Sequence, residues 1–234
     1  AGLAVTICAA VGIYGGLKLS FFSFLGAFAA VMIVNIGARK WGASRSTVIL
    51  IGVAMNSLLN ALSDIITTLD PDIRIVTGDF KIGEFSAVTY DTLVPALVIV
   101  LTATAFLITI REALGVITLG EESARSLGMN TVVMRIVFLS LAALLAGCAV
   151  SLAGLLPFIG LIVPHIIRRI SGNKIRHLVP LCVLYGAGFV CVCDTLARTL
   201  FYPYEIPVGI IMSLIGAPFF VFMLIKGKRG DSDA

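Results

Sequence analysis

The chain has 234 residues, of which 59% are hydrophobic and only 13% are charged. Soluble domains carry roughly a quarter charged residues, so this composition excludes an ordinary soluble protein and indicates an integral membrane protein. The basic residues that give the formal net charge of +4 do not cluster with aromatic side chains, which argues against nucleic-acid binding. The five cysteines lie in apolar stretches without acidic or histidine neighbours at ligand spacing, so neither a metal site nor a disulfide framework is predicted.

Apolar stretches long enough to form membrane-spanning helices recur along the chain. A hydrocarbon core about 30 Å thick requires about 20 residues of apolar helix. The sequence predicts eight spans, at residues 2–17, 20–38, 47–69, 92–110, 132–153, 155–170, 178–200 and 208–225. We therefore expect an all-α integral membrane protein, a polytopic helical bundle that forms a single domain over residues 1–234. Residues 70–91 are the longest connector and have room for a short surface helix.

The distribution of Lys and Arg predicts the orientation of the bundle. When the connectors are assigned alternately to two sides, 13 of the 17 basic residues fall on one side and 4 on the other. Cytoplasmic loops carry the excess of Lys and Arg, so the side with 13 is predicted to be cytoplasmic. The cytoplasmic segments are then 39–46, 111–131, 171–177 and the C-terminal tail, whereas 70–91 and 201–207 face outward.

One compact polar segment, TLGEESARSLGMN at residues 118–130, interrupts the apolar sequence on the cytoplasmic side. Glu121 and Glu122 stand at its start and Gly128 near its end, a pattern typical of a very short helix. A helix of about two turns is unstable alone, so it requires a partner surface, either the bundle or a second protein. A solvated loop is the alternative interpretation.

Few ionisable side chains fall inside the predicted spans. Asp64 lies late in the third span, and Asp194 and Arg198 lie in the seventh. Charged groups within a span are costly and often functional, but residues four apart share a helix face, so Asp194 and Arg198 are predicted to form an ion pair. His165 has no second metal ligand at a usable spacing and is interpreted as a structural histidine.

Four segments then occur in a characteristic order: LGEESARSLG, GLLPFIGLIVPHIIRR, DTLARTL and EIPVGIIMSLIGAPFFVFML. Together they resemble the FecCD-type permeases of binding-protein-dependent ABC importers, which take up iron–siderophores, haem and vitamin B12. The resemblance runs from about Gly2 to Ile225. It implies a fold of ten transmembrane helices, of which this chain supplies the last eight. Because the chain also lacks an initiator Met, we expect it to be N-terminally incomplete.

The resemblance also implies roles for particular residues. In that family, the segment that matches 112–130 forms two short helices that dock into the ATP-hydrolysing subunit. The implied ATPase-coupling group is Gly120, Glu121, Ala124, Arg125 and Gly128. Arg198 matches a residue that helps to receive an acidic side chain of the substrate-binding protein. The translocation pathway candidates, on the third and last spans, are Asn56, Asn60, Met212 and Ser213.

The chain has no GxxxxGK[ST] phosphate loop, so we do not expect it to hydrolyse ATP by that route, and the resemblance then requires a separate ATPase subunit. The resemblance implies a non-enzymatic permease, without catalytic residues or cofactor, that moves an iron–siderophore, or a haem or cobalamin-type chelate, across the cytoplasmic membrane by ATP-driven alternating access. Its implied partners are an ATP-binding cassette ATPase, an extracytoplasmic binding protein, a second permease subunit (homodimer or heterodimer) and membrane lipid. Two alternatives stay open: a proton- or sodium-coupled secondary transporter that uses Asp64 and Asp194, and a non-transporting permease fragment.

Overall fold

The computed structural model of the protein describes residues 1–13, 16–40, 45–86, 88–172 and 175–230. All regular elements in these ranges are α-helices, which confirms the predicted all-α bundle. They are, in chain order, α1 (Gly2–Ala10), α2 (Gly16–Lys40), α3 (Arg45–Leu69), α4 (Pro71–Ile82), α5 (Tyr90–Thr109), α6 (Arg111–Thr118), α7 (Glu121–Ser126), α8 (Thr131–Ala153), α9 (Ile159–Ser171), α10 (Ile175–Thr199) and α11 (Val208–Gly230).

Eight of these helices coincide with the predicted spans. In the described part of the chain, four contain a stretch long and apolar enough to cross a membrane: Ile49–Leu69 of α3, and α5, α8 and α10 over their full lengths. Helices α2 and α11 contain the shorter apolar stretches Phe21–Val34 and Val208–Met223. The remaining two helices, α1 and α9, are shorter than predicted.

The predicted boundaries 2–17 and 155–170 are wrong. In both places residues with positive φ interrupt the helix. Helix α1 ends at Ala10 because Gly12 adopts φ +82°, and the amides of Gly12 and Ile13 donate back to the carbonyls of Ala9 and Cys8. Helix α9 begins at Ile159, because Gly154 and Phe158 both have left-handed φ values, +68° and +62°. With 9 and 13 residues, these helices rise only about 14 and 20 Å, less than a hydrocarbon core.

Small residues permit close packing in the bundle. Helix α2 lies along α8, where the ring of Phe24 rests on Gly147 at a position that a Cβ atom would occupy. In α2, Gly26 likewise lies against Ala4 of α1. A buried cluster of Cys193, Ala197, Val208, Ile211 and Met212 joins α10 to α11. Close approach of this kind is the main source of helix association in lipid, where no hydrophobic force drives helices together.

The predicted surface helix within 70–91 is α4, and its end is tied to two other helices. The Leu155 amide donates to the Phe80 carbonyl (3.0 Å), the Glu84 amide to Ala153 (2.9 Å) and the Gly209 amide to Gly83 (3.2 Å). We call the meeting point of Gly83, Gly154 and Gly209 the glycine junction. It lies where α8 ends, whereas α7 lies where α8 begins, so the two polar connectors are at opposite ends of the bundle, as the alternation of spans requires.

Candidate functional site

Residues 111–130 on the predicted cytoplasmic side, which we call the coupling segment, contain two short helices, α6 and α7. Gly120 precedes α7 with φ +110°, and Gly128 follows it with φ +79°. The Gly128 amide donates to the Arg125 carbonyl (2.9 Å) and the Met129 amide to Ala124 (3.1 Å), a Schellman arrangement that closes the helix. Side chains with a Cβ rarely adopt these φ values, so the two glycines set the corners of the segment.

The faces of α7 differ in what they contact. Ala124 is fully buried where α7 meets α6 and α8, so it anchors the helix to the bundle. Arg125 Nε donates to Thr131 Oγ1 (3.4 Å) at the start of α8. The side chain of Glu121 lies outside the described residues. Leu119 and Leu127, at the two ends of α7, are both 67% exposed. Neither belongs to a membrane-spanning helix, so contact with lipid does not explain their exposure.

These two leucines were missed by sequence reasoning, which treated the segment as polar. The available signal was their position, because each stands next to a glycine that turns the chain. Exposed apolar side chains beside charged ones are typical of a protein-contact surface. We call residues 119–128 the coupling tip.

Helix α6 connects the coupling tip to an open cavity between α2, α3, α6 and α8. The cavity has a volume of about 490 Å³, and we call it the inner cavity. Its lining includes Leu114 and Ile117 of α6, Arg135 and Phe138 of α8, and Asn56 of α3. The coupling segment and a predicted pathway residue therefore border the same space.

A polar stripe runs along α3 from the inner cavity to the other end of the helix. Asn56, Asn60, Asp64 and Thr68 are spaced four residues apart, so they share one face, and all four are exposed. Exposed polar side chains on a spanning helix face a water-filled path or another protein chain more readily than lipid. Two predicted pathway residues, Asn56 and Asn60, lie on this α3 stripe, and Asp64 and Thr68 extend it.

The other two pathway candidates lie elsewhere. Met212 is fully buried in the cluster that joins α10 to α11. Ser213 is partly buried, and its Oγ donates to the Gly209 carbonyl (2.8 Å). In this conformation both residues make packing contacts, and neither lines the inner cavity or the α3 stripe. Their pathway role stays a prediction.

Arg198 lies among acidic side chains at the C-terminal end of α10, which is predicted to face outward. Its Nε donates to Asp194 Oδ2 (3.0 Å), which confirms the predicted ion pair, and its Nη1 is 3.7 Å from Glu205 Oε2. The carboxylate of Glu84 also lies within electrostatic range. Arg198 stays 44% exposed, so a partner could reach it. The structure does not test its docking role.

Asp64, the other carboxylate of a predicted span, is also paired. Its Oδ1 accepts from Lys81 Nζ of α4 at 2.8 Å. His165 packs its ring edge-on against Phe219 at a centroid distance of 6.4 Å. In the described ranges, no group of three His, Cys, Asp or Glu side chains has metal-site geometry.

The FecCD transport family matches residues 1–226. The chain belongs to this family. Membership in the FecCD family confirms the resemblance inferred from the sequence. The matched range contains the coupling segment, the α3 stripe and Arg198.

Individual relatives support the same conclusion. This FecCD chain is 38% identical over 93% of its length to YvrB, an uncharacterized ABC transporter permease of Bacillus subtilis (strain 168), and covers 62% of that protein. It is 34% identical over 88% of its length to HmuU, a hemin transport system permease of Yersinia pestis, again covering 62% of the relative. The iron(3+)-hydroxamate import permease FhuG of B. subtilis is 32% identical over 92% of the chain and is covered to 64%.

The fold of this FecCD chain has also been seen in a solved structure. A metal-chelate type ABC transporter in an inward-facing conformation superimposes with a TM-score of 0.86 at 27% identity. The match covers 96% of this chain and 72% of the solved one. The chain thus spans a little under two thirds of the length of the curated relatives named above.

Proposed function

We propose that this FecCD chain is a permease subunit of an ATP-binding cassette importer that carries an iron chelate across the cytoplasmic membrane. The observation that carries the proposal is the inner cavity. It is bordered on one side by α6 of the coupling segment and on another by Asn56 of the α3 stripe. A movement of the coupling segment therefore acts directly on the walls of the space next to the polar stripe.

The mechanism that these contacts support is alternating access. The ATPase binds the coupling tip through the exposed Leu119 and Leu127 and the acidic start of α7. Buried Ala124 makes α7 move together with α6 and α8, and α6 also packs against α10. Closure of the ATPase dimer then tilts these helices as one unit and changes the width of the inner cavity. The chain itself makes and breaks no covalent bond.

The proposed assembly contains a second permease subunit and an extracytoplasmic binding protein. Only 6% of the apolar stretch of α3, and of that of α10, is buried, compared with 22% for α8, so both helices have surface available for a further chain, for the pathway or for lipid. The binding protein would dock near Arg198 on the outward side. The C-terminus is then cytoplasmic, in agreement with the excess of Lys and Arg on that side.

A proton- or sodium-coupled transporter is less well supported. Such a mechanism requires carboxylates that exchange their ion, but Asp64 and Asp194 are held by Lys81 and Arg198 at 2.8 and 3.0 Å. Both pairs also lie toward the outward end of their helices, which leaves no carboxylate relay along the bundle in the described residues.

The energy source decides between these functions. The full-length protein, reconstituted in liposomes with its ATPase and binding protein, should take up ferric hydroxamate or haem only when ATP is present. Vanadate should stop this uptake, and an uncoupler should leave it unchanged. Uptake that survives vanadate but collapses with the uncoupler, or that proceeds without the ATPase, would overturn the proposal.

A further inference from the structure

A second cavity lies at the outward end of α3, where this helix meets α4. It has a volume of about 490 Å³, within the range of small-molecule sites, and we call it the outer cavity. Except for Gly78, every lining residue has a polar or charged side chain. The lining residues are Asp64, Thr67, Thr68, Arg74, Thr77, Gly78 and Lys81.

The charges in the outer cavity are unbalanced. Lys81 Nζ lies 2.8 Å from Asp64 Oδ1, so these two groups largely neutralise each other. Arg74, one helical turn into α4, forms no ion pair within the described residues and is exposed. The nearest acids in sequence, Asp70 and Asp72, lie at the start of α4, where the backbone amide of Asp72 donates to Asp70 Oδ1 (3.1 Å), and neither is among the lining residues. One full positive charge therefore remains in the cavity.

The threonine hydroxyls of the outer cavity have no hydrogen free to donate to a bound ligand. Thr68 Oγ1 donates to the Asp64 carbonyl (2.7 Å), and Thr77 Oγ1 donates to the Ile73 carbonyl (2.8 Å). Their hydrogens are used within the helices, so the donors that the cavity offers are the guanidinium of Arg74 and the ammonium of Lys81. A planar guanidinium matches a carboxylate with two parallel hydrogen bonds, and an ammonium binds it as a point charge.

We propose that the outer cavity binds an anionic oxygen group, of the carboxylate type, on the transported chelate. This inference rests on the proposed function and adds the charge class of the cargo to it. The carboxylate pairs with Arg74 and competes with Asp64 for Lys81. Asp64 also belongs to the α3 stripe, which continues through Asn60 to Asn56 at the inner cavity. The outer cavity is thus the outward end of a polar route along one helix face.

The alternative role for these residues is purely structural or protein-binding. The Asp64–Lys81 pair joins α3 to α4, but Arg74 contributes nothing to that link. An acidic side chain of the binding protein could instead pair with Arg74. A concave site between two helices with two cations favours a small anion, and the experiment below separates the two.

The test uses the full-length permease in lipid nanodiscs, without ATPase or binding protein, and measures binding of citrate by calorimetry at low salt. Trimethyl citrate, which has the same skeleton without the charges, is the matched neutral probe. We expect saturable binding of citrate only. Arg74→Gln should weaken it at least tenfold, and Asp64→Asn, which removes the competing carboxylate, should strengthen it severalfold. Lys18→Gln, a change of an exposed lysine outside the cavity, should have no effect.

Each contrary outcome has a definite meaning. Absence of citrate binding to the wild type, or equal binding by Arg74→Gln, would overturn the inference. If Arg74→Gln loses binding-protein docking in a pull-down while citrate binding is unchanged, Arg74 belongs to protein docking and the inference is also wrong. Because the binding assay needs no ATP, its failure is separate from failure of ATP-dependent uptake, which alone tests the proposed function.

Discussion

Arg198 illustrates how neighbouring charges modify the role of a single residue. One guanidinium faces three carboxylates, those of Asp194, Glu205 and Glu84, which leaves an excess of two negative charges. An acidic residue of a binding protein would have to compete with these side chains for Arg198. Glu205, at 3.7 Å, is the more distant of the two measured partners and therefore the easier one to displace.

We therefore expect Glu205→Gln to strengthen binding-protein docking, because it removes a competing negative charge. Arg198→Glu should weaken docking through direct repulsion. Both changes should be severalfold at low salt and smaller at high salt, as is usual for partly exposed charges. Pull-down or surface plasmon resonance with the purified binding protein measures them. Asp91→Asn, which alters an acid at the start of α5 outside this cluster, is the control. Equal docking by the unmodified protein and all three variants would contradict the role of Arg198 in docking.

At the scale of an element, the shape of the coupling segment depends on two backbone positions. Gly128 combines φ +79° with an amide that donates to the Arg125 carbonyl. Apart from their chain neighbours, no atom of the described residues lies within 4 Å of a Cβ at Gly120 or Gly128, so the backbone conformation is the observed reason for glycine at both positions.

Gly128→Pro should uncouple ATP hydrolysis from transport. Proline fixes φ near −65° and removes the amide donor, so the Schellman closure of α7 is lost and the coupling tip changes direction. ATPase activity of the assembled complex should persist while chelate uptake falls at least tenfold. Gly188→Ala, at an open helical position in α10, is the control. Normal uptake by the proline variant would refute the coupling role of this segment.

The glycine junction is a second element whose geometry is sensitive to one atom. A Cβ at Gly83, Gly154 or Gly209 would overlap with the carbonyl oxygen of Leu155, Phe80 or Ile82, respectively. Backbone oxygens cannot move aside as a flexible side chain does, so α4 stays joined to α8 and α11 only while all three positions lack a side chain.

Gly209→Ala should therefore lower the free energy of unfolding by about 2 kcal/mol or more, the cost of forcing extra atoms into a packed site. Thermal unfolding in detergent, or the yield of folded protein in membranes, measures the loss. Gly52→Ala in α3, where a Cβ meets open space, should be nearly neutral. Equal stability of the two variants would show that the junction opens without cost.

At the scale of the whole molecule, the ends of the bundle are distinguished by charge and by contacts. The glycine junction and Arg198 lie at one end, and the coupling tip with the start of α8 lies at the other. The excess of Lys and Arg predicts that the end with the coupling tip is cytoplasmic. Access to the two ends tests this orientation independently of transport.

A cysteine introduced at exposed Ser86, in a background without the five native cysteines, should react with a membrane-impermeant maleimide from outside intact cells. A cysteine at exposed Ser123 in α7 should react only after permeabilisation. The reverse pattern would invert the topology. The readout is the labelled fraction on a gel, before and after permeabilisation.

Much of this architecture is local in sequence and could be predicted from it. The apolar stretches fix where helices cross the membrane, because about 20 apolar residues span the hydrocarbon core. Residues four apart share a face, so the pair of Asp194 and Arg198 followed from spacing alone. The resemblance to the FecCD-type permeases implied the two short helices of the coupling segment, and Gly120 and Gly128 marked its corners.

The tertiary structure decided what depends on contacts between distant segments. It buried Met212 and Ala124 and brought Asn56 next to α6 around the inner cavity. It also placed Arg74 and Lys81 against Asp64 to form the outer cavity. A hydropathy pattern states that a helix is apolar but not which neighbour covers each face. That choice is made by small residues and backbone hydrogen bonds whose partners lie tens of residues away in sequence.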